Sequence, residues 1–183
     1  EQRDRFEEKR LAEKRVAIER RIGDIDKRFR IDFERYAELT APDALSIDDV
    51  QGALSPEEAL VLIVPTEALQ PMPEETFVWV VTKTEARWVH VEAGRQALAD
   101  YVTALRCGLD DSAWRGDGNQ RCRELLKVAK RPGRDEPLPF SPGIAHELYD
   151  TLFGQVRDAL AGKKHLLIVP TGALTRLPFQ VLV

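Results

Sequence analysis

Apolar and polar residues are distributed very differently in the two parts of this chain. Residues 1–40 contain 14 hydrophobic and 23 charged side chains, with no proline and one glycine. This charge-rich run of good helix formers predicts a long helix from Glu1 to about Leu39. Ala41-Pro42 is expected to end it, because proline disfavours helical geometry in the residue before it.

Within this arm, apolar residues recur at the spacing of a coiled coil. If Leu11 occupies heptad position d, the d and a positions of the following turns hold Ile18, Ile22, Ile25, Phe29, Tyr36 and Leu39, whereas Arg15 and Asp32 interrupt the seam. Twelve basic and eleven acidic residues nearly cancel, which is typical of a solvated helical face. Two interpretations stay open: the arm packs on its own domain or one neighbour, or it forms a homodimer through Ile18, Ile22, Ile25, Phe29 and Tyr36.

The second part of the chain alternates helical and β-rich patterns. We predict strands at residues 59–64, 77–82, 86–91 and 165–169, and helices at 46–54, 94–109, 121–130 and 141–160. The strands 59–64, 77–82 and 86–91 should form an antiparallel meander in which Trp88 and His90 share one face. Three smaller features are a single helical turn begun by Ser55-Pro56, a helix end at Gly108, and a mobile surface loop at 110–120.

Two of the predicted strands are almost uniformly apolar. Residues 59–64 and 165–169 therefore predict strands buried on both faces, the second as a parallel strand at the heart of an α/β sheet. An unpaired apolar edge there would be a template for another chain. We accordingly expect that edge either to pair with a second copy or to be covered by the chain's own helices and arm.

Composition excludes several classes of function. The net charge of −4 supplies no overall positive field for nucleic acid or anionic lipid, and no apolar run approaches the roughly 18 residues that cross a bilayer. Cys107 and Cys122 are too few for a disulfide scaffold or a four-cysteine zinc site. We therefore expect a cytoplasmic protein with reduced thiols, protein partners, no nucleic acid and no membrane.

No residue constellation predicts a catalytic, cofactor or metal site. The two cysteines and the histidines His90, His146 and His165 lie on separate elements, without ligand spacing, and are interpreted as buried or idle groups. Capping and solvation account for the carboxylate pairs Glu57-Glu58, Glu74-Glu75 and Asp110-Asp111. Trp79 and Trp88 are interpreted as core or cross-strand packing rather than as a ligand platform.

The last forty residues nevertheless resemble a known family. The segments Leu148–Phe153, Leu160–Leu174 and Leu177-Pro178-Phe179 are similar to the CHAT domain, the caspase-like domain found after tetratricopeptide repeats in bacterial proteins. The resemblance spans residues 45 to 183 and departs from the family at Thr171, where an aspartate is usual. It implies a cysteine nucleophile and a histidine base downstream of Leu-Pro-Phe, and this chain stops before either.

These observations combine into one expectation. The fold is α/β, with a long N-terminal helix, an antiparallel β-meander with helices, and the first parallel strand of a truncated caspase-like sheet. We assign residues 1–40 to a charged helical or coiled-coil arm and 45–183 to the N-terminal portion of a CHAT domain. The chain itself should not be catalytic, and its parent is either a cysteine peptidase or a noncatalytic signalling protein. The alternative is a coiled-coil oligomerisation module with no peptidase role.

Overall fold

A computed structural model describes residues 5–32, 44–133 and 135–182. The chain divides into two compact units, one up to Ser46 and one from Ile47 onward. In the first unit, helix α1 spans Arg5–Asp32, in agreement with the helical pattern of the arm. Tyr36, Leu39 and the Ala41-Pro42 step lie outside the described residues, and so does the side chain of Phe29.

The second unit is a mixed α/β domain built on one four-stranded sheet. Its strands are β1 (Glu58–Pro65), β2 (Thr76–Thr82), β3 (Ala86–Val91) and β4 (His165–Pro170), in the spatial order β3-β2-β1-β4. β1, β2 and β3 form the antiparallel meander that the sequence predicts, and β4 pairs with β1 in parallel. The parallel pair requires a crossover connection, which the intervening helices supply.

The helices of this unit lie between and around the strands in chain order. Their bounds are α2 (Ile47–Ala53), α3 (Arg95–Leu109), α4 (Gly118–Leu126), α5 (Pro142–Phe153) and α6 (Arg157–Leu160). Ser141 caps α5 by accepting a hydrogen bond from the Ile144 amide at 3.3 Å, with proline at the first helical position. Gly162, at φ +75°, makes the turn between α6 and β4.

One face of the sheet carries the main core. Side chains of alternate strand residues meet apolar residues of α3 and α5, all of them at most 4% exposed: Val61, Ile63, Val78, Val80, Val91, Leu98, Val102, Leu105, Leu148 and Leu152. We call this face the covered face. Its membership follows the period of two along each strand and the helical period along α3 and α5.

A second, smaller core lies between α3 and α4. Cys107 and Cys122 form a disulfide with a Cα–Cα separation of 5.6 Å, and Trp114 lies against it, 1% exposed. The Trp114 indole N–H donates to the Cys107 carbonyl at 2.7 Å. The expectation of two reduced thiols is therefore wrong, and the cytoplasmic location that accompanied it stays a prediction.

Two local expectations are corrected. Residues 110–120 are not a loose loop: a 3-10 turn at Asp111–Trp114 buries its tryptophan, and α4 already begins at Gly118. The predicted end of α3 is confirmed, because the helix stops at Leu109, one residue after Gly108. A side chain at Gly108 would be excluded by the Phe140 backbone, whose Cα would lie within 2.5 Å of a Cβ there. Ser55-Pro56 begins a turn rather than a helix, although Glu58 does reach back to the Ser55 amide at 2.9 Å.

The prediction that the two uniformly apolar strands are buried on both faces is also wrong. β1 is buried on alternate residues only, so one of its faces is covered and the other is half-buried. β4 is not at the heart of the sheet but at its edge, with Leu166, Leu167 and Val169 each more than 40% exposed. Apolar sequence on both faces therefore does not by itself bring burial on both faces.

Candidate functional site

The residues that could carry acid–base or nucleophilic chemistry are dispersed. His90 Nε2 lies 3.4 Å from Glu75 Oε1 on the sheet, whereas His146 Nε2 lies 3.2 Å from Asp150 Oδ2 on α5. His165 begins β4, opposite Glu58 of β1. Cys107 and Cys122 are joined to each other, so neither presents the thiolate that a cysteine nucleophile requires.

The carboxylate pairs have structural roles in turns and helix starts, as the sequence predicts. The Asp110 carboxylate accepts hydrogen bonds from Ser112 and lies 2.8 Å from Arg106, which lowers its pKa to about 2. Glu58 accepts from Ser55, which lowers its pKa, and the Glu57 carboxylate pairs with Lys164 at 2.6 Å. The pKa values of Asp110 and Glu58 are thus lowered, whereas a general acid at neutral pH needs a raised pKa.

A cleft of about 280 Å³ lies where the parallel strands end. Ligands of open α/β sheets bind at the carboxyl ends of parallel strands, which makes this cleft the first place to look for a small-molecule site. Its polar groups, however, are engaged within the chain: Glu74 Oε2 accepts from the Gln96 amide at 3.0 Å, Arg95 pairs with Glu67, and the Thr171 hydroxyl donates to the Ile63 carbonyl at 3.0 Å. These contacts connect β1, β4 and the start of α3 to one another, so the polar groups of the cleft have a structural role.

Over the described ranges, no group of three or more His, Cys, Asp or Glu side chains is arranged to hold a metal ion. Among the helices of those ranges, none combines the length and apolar character that crossing a bilayer requires.

The most unusual surface of the molecule is the second face of the sheet. Strand alternation places the buried Val81 and the small Ala86 there. The other eight apolar side chains of this face are half-buried or exposed, and together we call them the open face: Leu60, Leu62, Val64, Phe77, Trp79, Trp88, Leu167 and Val169. Trp88 is 58% exposed and pairs directly across the strands with Trp79. Phe77 lies between both tryptophans, with ring centroids at 5.8 Å and 5.7 Å. The two tryptophans are therefore cross-strand neighbours that both contact Phe77, on a face that leaves Trp88 exposed.

The open face continues onto the free edge of β4. His165 donates its amide to the Glu57 carbonyl at 3.2 Å, and the alternation along a strand turns the amides of Leu167 and Val169 toward β1 as well. The N–H and C=O groups of Leu166 and Ile168 therefore point away from β1. Within the described residues, no strand pairs with this side of β4.

The edge also lacks the usual protection against pairing. Natural edge strands are blunted by charged side chains, bulges or proline. The four residues Leu166–Val169 are all aliphatic, and their register with β1 has no bulge. Pro170 restricts pairing only at the end of the strand. Sequence reasoning recognised the apolar run but placed it in the core, because the run alone does not show how many neighbours it has.

Comparison of this chain with protein-family models, with curated proteins and with solved structures found no match. The site is therefore characterised by its geometry alone. Over the described ranges, that geometry contains an apolar face and an unpaired strand edge, and its two cysteines are joined in a disulfide.

Proposed function

We propose that this chain is the noncatalytic N-terminal portion of a CHAT-like, caspase-like domain, and that it acts through protein–protein recognition. Its parent would be a larger bacterial repeat protein that is either a cysteine peptidase or a signalling protein. The observation that carries the proposal is β4, which runs parallel to β1 at a free edge and is aliphatic on both faces. Parallel strands are normally flanked and covered on both sides, so such an edge suits a sheet that continues.

The open face supports the same proposal. Single exposed apolar residues are ordinary, but contiguous apolar patches mark interaction surfaces. Here the patch crosses all four strands of the sheet and includes two tryptophans, residues that are enriched in protein interfaces. Covering helices in a completed domain would bury it.

The chemistry is consistent with a noncatalytic role. A cysteine peptidase needs a thiolate and an imidazole within hydrogen-bond reach, together with donors for the oxyanion. We expect the purified chain to show no saturable peptide cleavage and no labelling by a thiol-directed substrate mimic. Specific cleavage that disappears in Cys107→Ala or Cys122→Ala would overturn this part of the proposal.

Hydrogen exchange tests the structural part directly. In the chain alone, the amides of Leu166 and Ile168 should exchange rapidly because they face the free edge. In the parent protein, a following parallel strand should slow both of them by orders of magnitude. Rapid exchange in both proteins would show that β4 is a true edge and would contradict a continued caspase-like sheet.

A second candidate function rests on α1. Four aliphatic side chains of the seam, Leu11, Ile18, Ile22 and Ile25, are exposed in this helix. A helix with such a stripe gains little stability until the stripe is packed. In this second function the chain is a coiled-coil oligomerisation module with no peptidase role. The exposed stripe would then form the interface between helices, and the free edge of β4 would have no function.

A further inference from the structure

The charges beside the seam of α1 carry an inference that does not depend on the caspase-like proposal. The exposed aliphatic residues Leu11, Ile18 and Ile25 occupy position d, and Ile22 occupies position a. Positions e and g flank such a seam, and their charges decide which helices pair and in which direction. In α1 these positions are not mixed but sorted by sign.

The sorting is complete over two heptads. Lys14, Arg21 and Arg28 lie at the three g positions, whereas Glu19 and Asp26 lie at e. In a parallel, in-register pair, each g residue faces the e residue five positions later in the other helix. Lys14 would then face Glu19, and Arg21 would face Asp26, twice each by symmetry.

The antiparallel arrangement reverses this outcome. There, g positions face g positions and e positions face e positions, so lysine and arginine would meet one another and the carboxylates would do the same. Like charges at neighbouring positions destabilise a helical pair, and opposite charges stabilise it. The charge pattern therefore favours a second copy of this helix as the partner, and it favours the parallel direction.

Arg15, the polar residue that interrupts the seam at position a, is compatible with this pairing. Its Nε lies 3.4 Å from Glu19 Oε1 at the adjacent e position, and both side chains are largely exposed. The guanidinium is thus paired with a carboxylate of its own helix at the margin of the seam. A polar a residue lowers stability and favours a defined oligomeric state.

We propose that α1 associates with α1 of a second copy as a parallel, in-register, two-stranded coiled coil over residues 11–28. The occupant of the exposed stripe is therefore a second copy of this chain. The globular unit takes no part in this argument.

Single-cysteine cross-linking of the full chain tests direction and register. In a parallel, in-register pair, Leu11→Cys and Ile25→Cys each place two thiols across the seam, so each variant alone should form a covalent dimer on air oxidation. In an antiparallel pair, d positions pack against a positions, so Leu11 and Ile25 would each face an a residue of the other helix, and neither single variant would cross-link. The matched control is Val16→Cys, an exposed residue at position b, which should stay uncross-linked at the same protein concentration.

Charge reversal tests the recognition itself. Glu19→Lys with Asp26→Lys makes all flanking charges positive, and we expect the dissociation constant of the dimer in sedimentation to rise about tenfold or more. The control pair Glu13→Lys with Asp24→Lys makes the same charge change at f and c positions and should leave the dissociation constant within about threefold. Adding Lys14→Glu and Arg21→Glu to the first variant should restore the dimer.

The proposal is overturned by any of four results: a monomeric wild-type chain at high micromolar concentration, a trimer, the absence of cross-links in both seam variants, or equal effects of the two charge reversals. Circular dichroism of each variant confirms that the helix content is retained. The peptidase and hydrogen-exchange tests of the caspase-like proposal do not involve these variants, so the two proposals fail separately.

Discussion

β1 and β4 are neighbours in one sheet and have nearly the same sequence character, yet their surroundings differ. β1 lies between β2 and β4, and its alternate residues are fully buried on the covered face. β4 has β1 on one side only, and three of its four aliphatic residues are more than 40% exposed. The difference teaches that an apolar run predicts a strand, whereas its burial depends on how many neighbours the topology supplies.

The same contrast separates the two faces of the sheet. The covered face meets α3 and α5, whose apolar residues complete the core. The open face presents an equally apolar set that includes Trp88, 58% exposed. If this contrast is correct, identical substitutions on the two faces should have very different effects on stability.

The largest expected effect is at the covered face. Leu152→Ala removes a fully buried side chain from α5 and should lower the free energy of unfolding by about 2–5 kcal/mol. The matched substitution Leu167→Ala, on the open face, should cost less than about 1 kcal/mol, because its side chain is already half exposed. Urea unfolding of both variants measures the difference, and equal losses would show that the open face is packed.

The next effect concerns the layer that covers the sheet. The disulfide links α3 to α4 across a sequence separation of 15 residues, and a loop of that length is worth about 3 kcal/mol when it is closed. The double variant Cys107→Ala/Cys122→Ala should lose about that much stability. Reducing agent should destabilise the wild-type chain similarly and leave the double variant unchanged. An effect of reductant on the double variant would show that it acts elsewhere.

A smaller effect is expected at the aromatic cluster of the open face. Trp88→Ser should change the free energy of unfolding by less than about 1 kcal/mol, since most of this indole is in water. The buried Trp114 provides the contrast within the same chain, because its indole fills the smaller core and donates to Cys107. Trp114→Ser should therefore lower the free energy of unfolding far more than Trp88→Ser does. A larger loss for Trp88→Ser would contradict the assignment of Trp114 to a buried site and Trp88 to an exposed one.

The smallest effect is a pH dependence at Asp110. Its pKa is lowered to about 2 by hydrogen bonds from Ser112 and by Arg106, against an ordinary value of 3.8. A depressed pKa means that the stabilisation is present above the ordinary pKa and is lost as the pH falls from about 4 to about 2. Asp110→Asn keeps an oxygen that can accept the capping hydrogen bond but removes the charge. The free energy of unfolding of this variant should therefore depend less on pH than that of the wild-type chain over this window. An unchanged pH dependence would show that other carboxylates determine it.

Much of the fold follows from local pattern. The period of two in the meander, the Ser141-Pro142 cap and the helical spacing of α3 and α5 all depend on residues near in sequence, and these three features are present. The structure also separates the chain into two units close to the predicted end of the arm.

The remainder depends on contacts between distant residues. The Cys107–Cys122 pairing requires α4 to fold back on α3, and Gly108 is explained only by the approach of Phe140, 32 positions later. The open face likewise exists only because β1, β2, β3 and β4 align their alternate residues. No local spacing carries that information, which is why the predictions of reduced thiols and of a buried β4 were wrong.

The one-sided pairing of β4 is tested most directly by residue-resolved hydrogen exchange of the chain as a dilute sample. The account predicts an alternating pattern, with slow exchange at Leu167 and Val169, whose amides face β1, and fast exchange at Leu166 and Ile168. β1, which has a partner on both sides, should be protected throughout residues 59–64. Uniformly slow exchange across Leu166–Val169 would contradict the account, because it would mean that a second neighbour already covers the free edge.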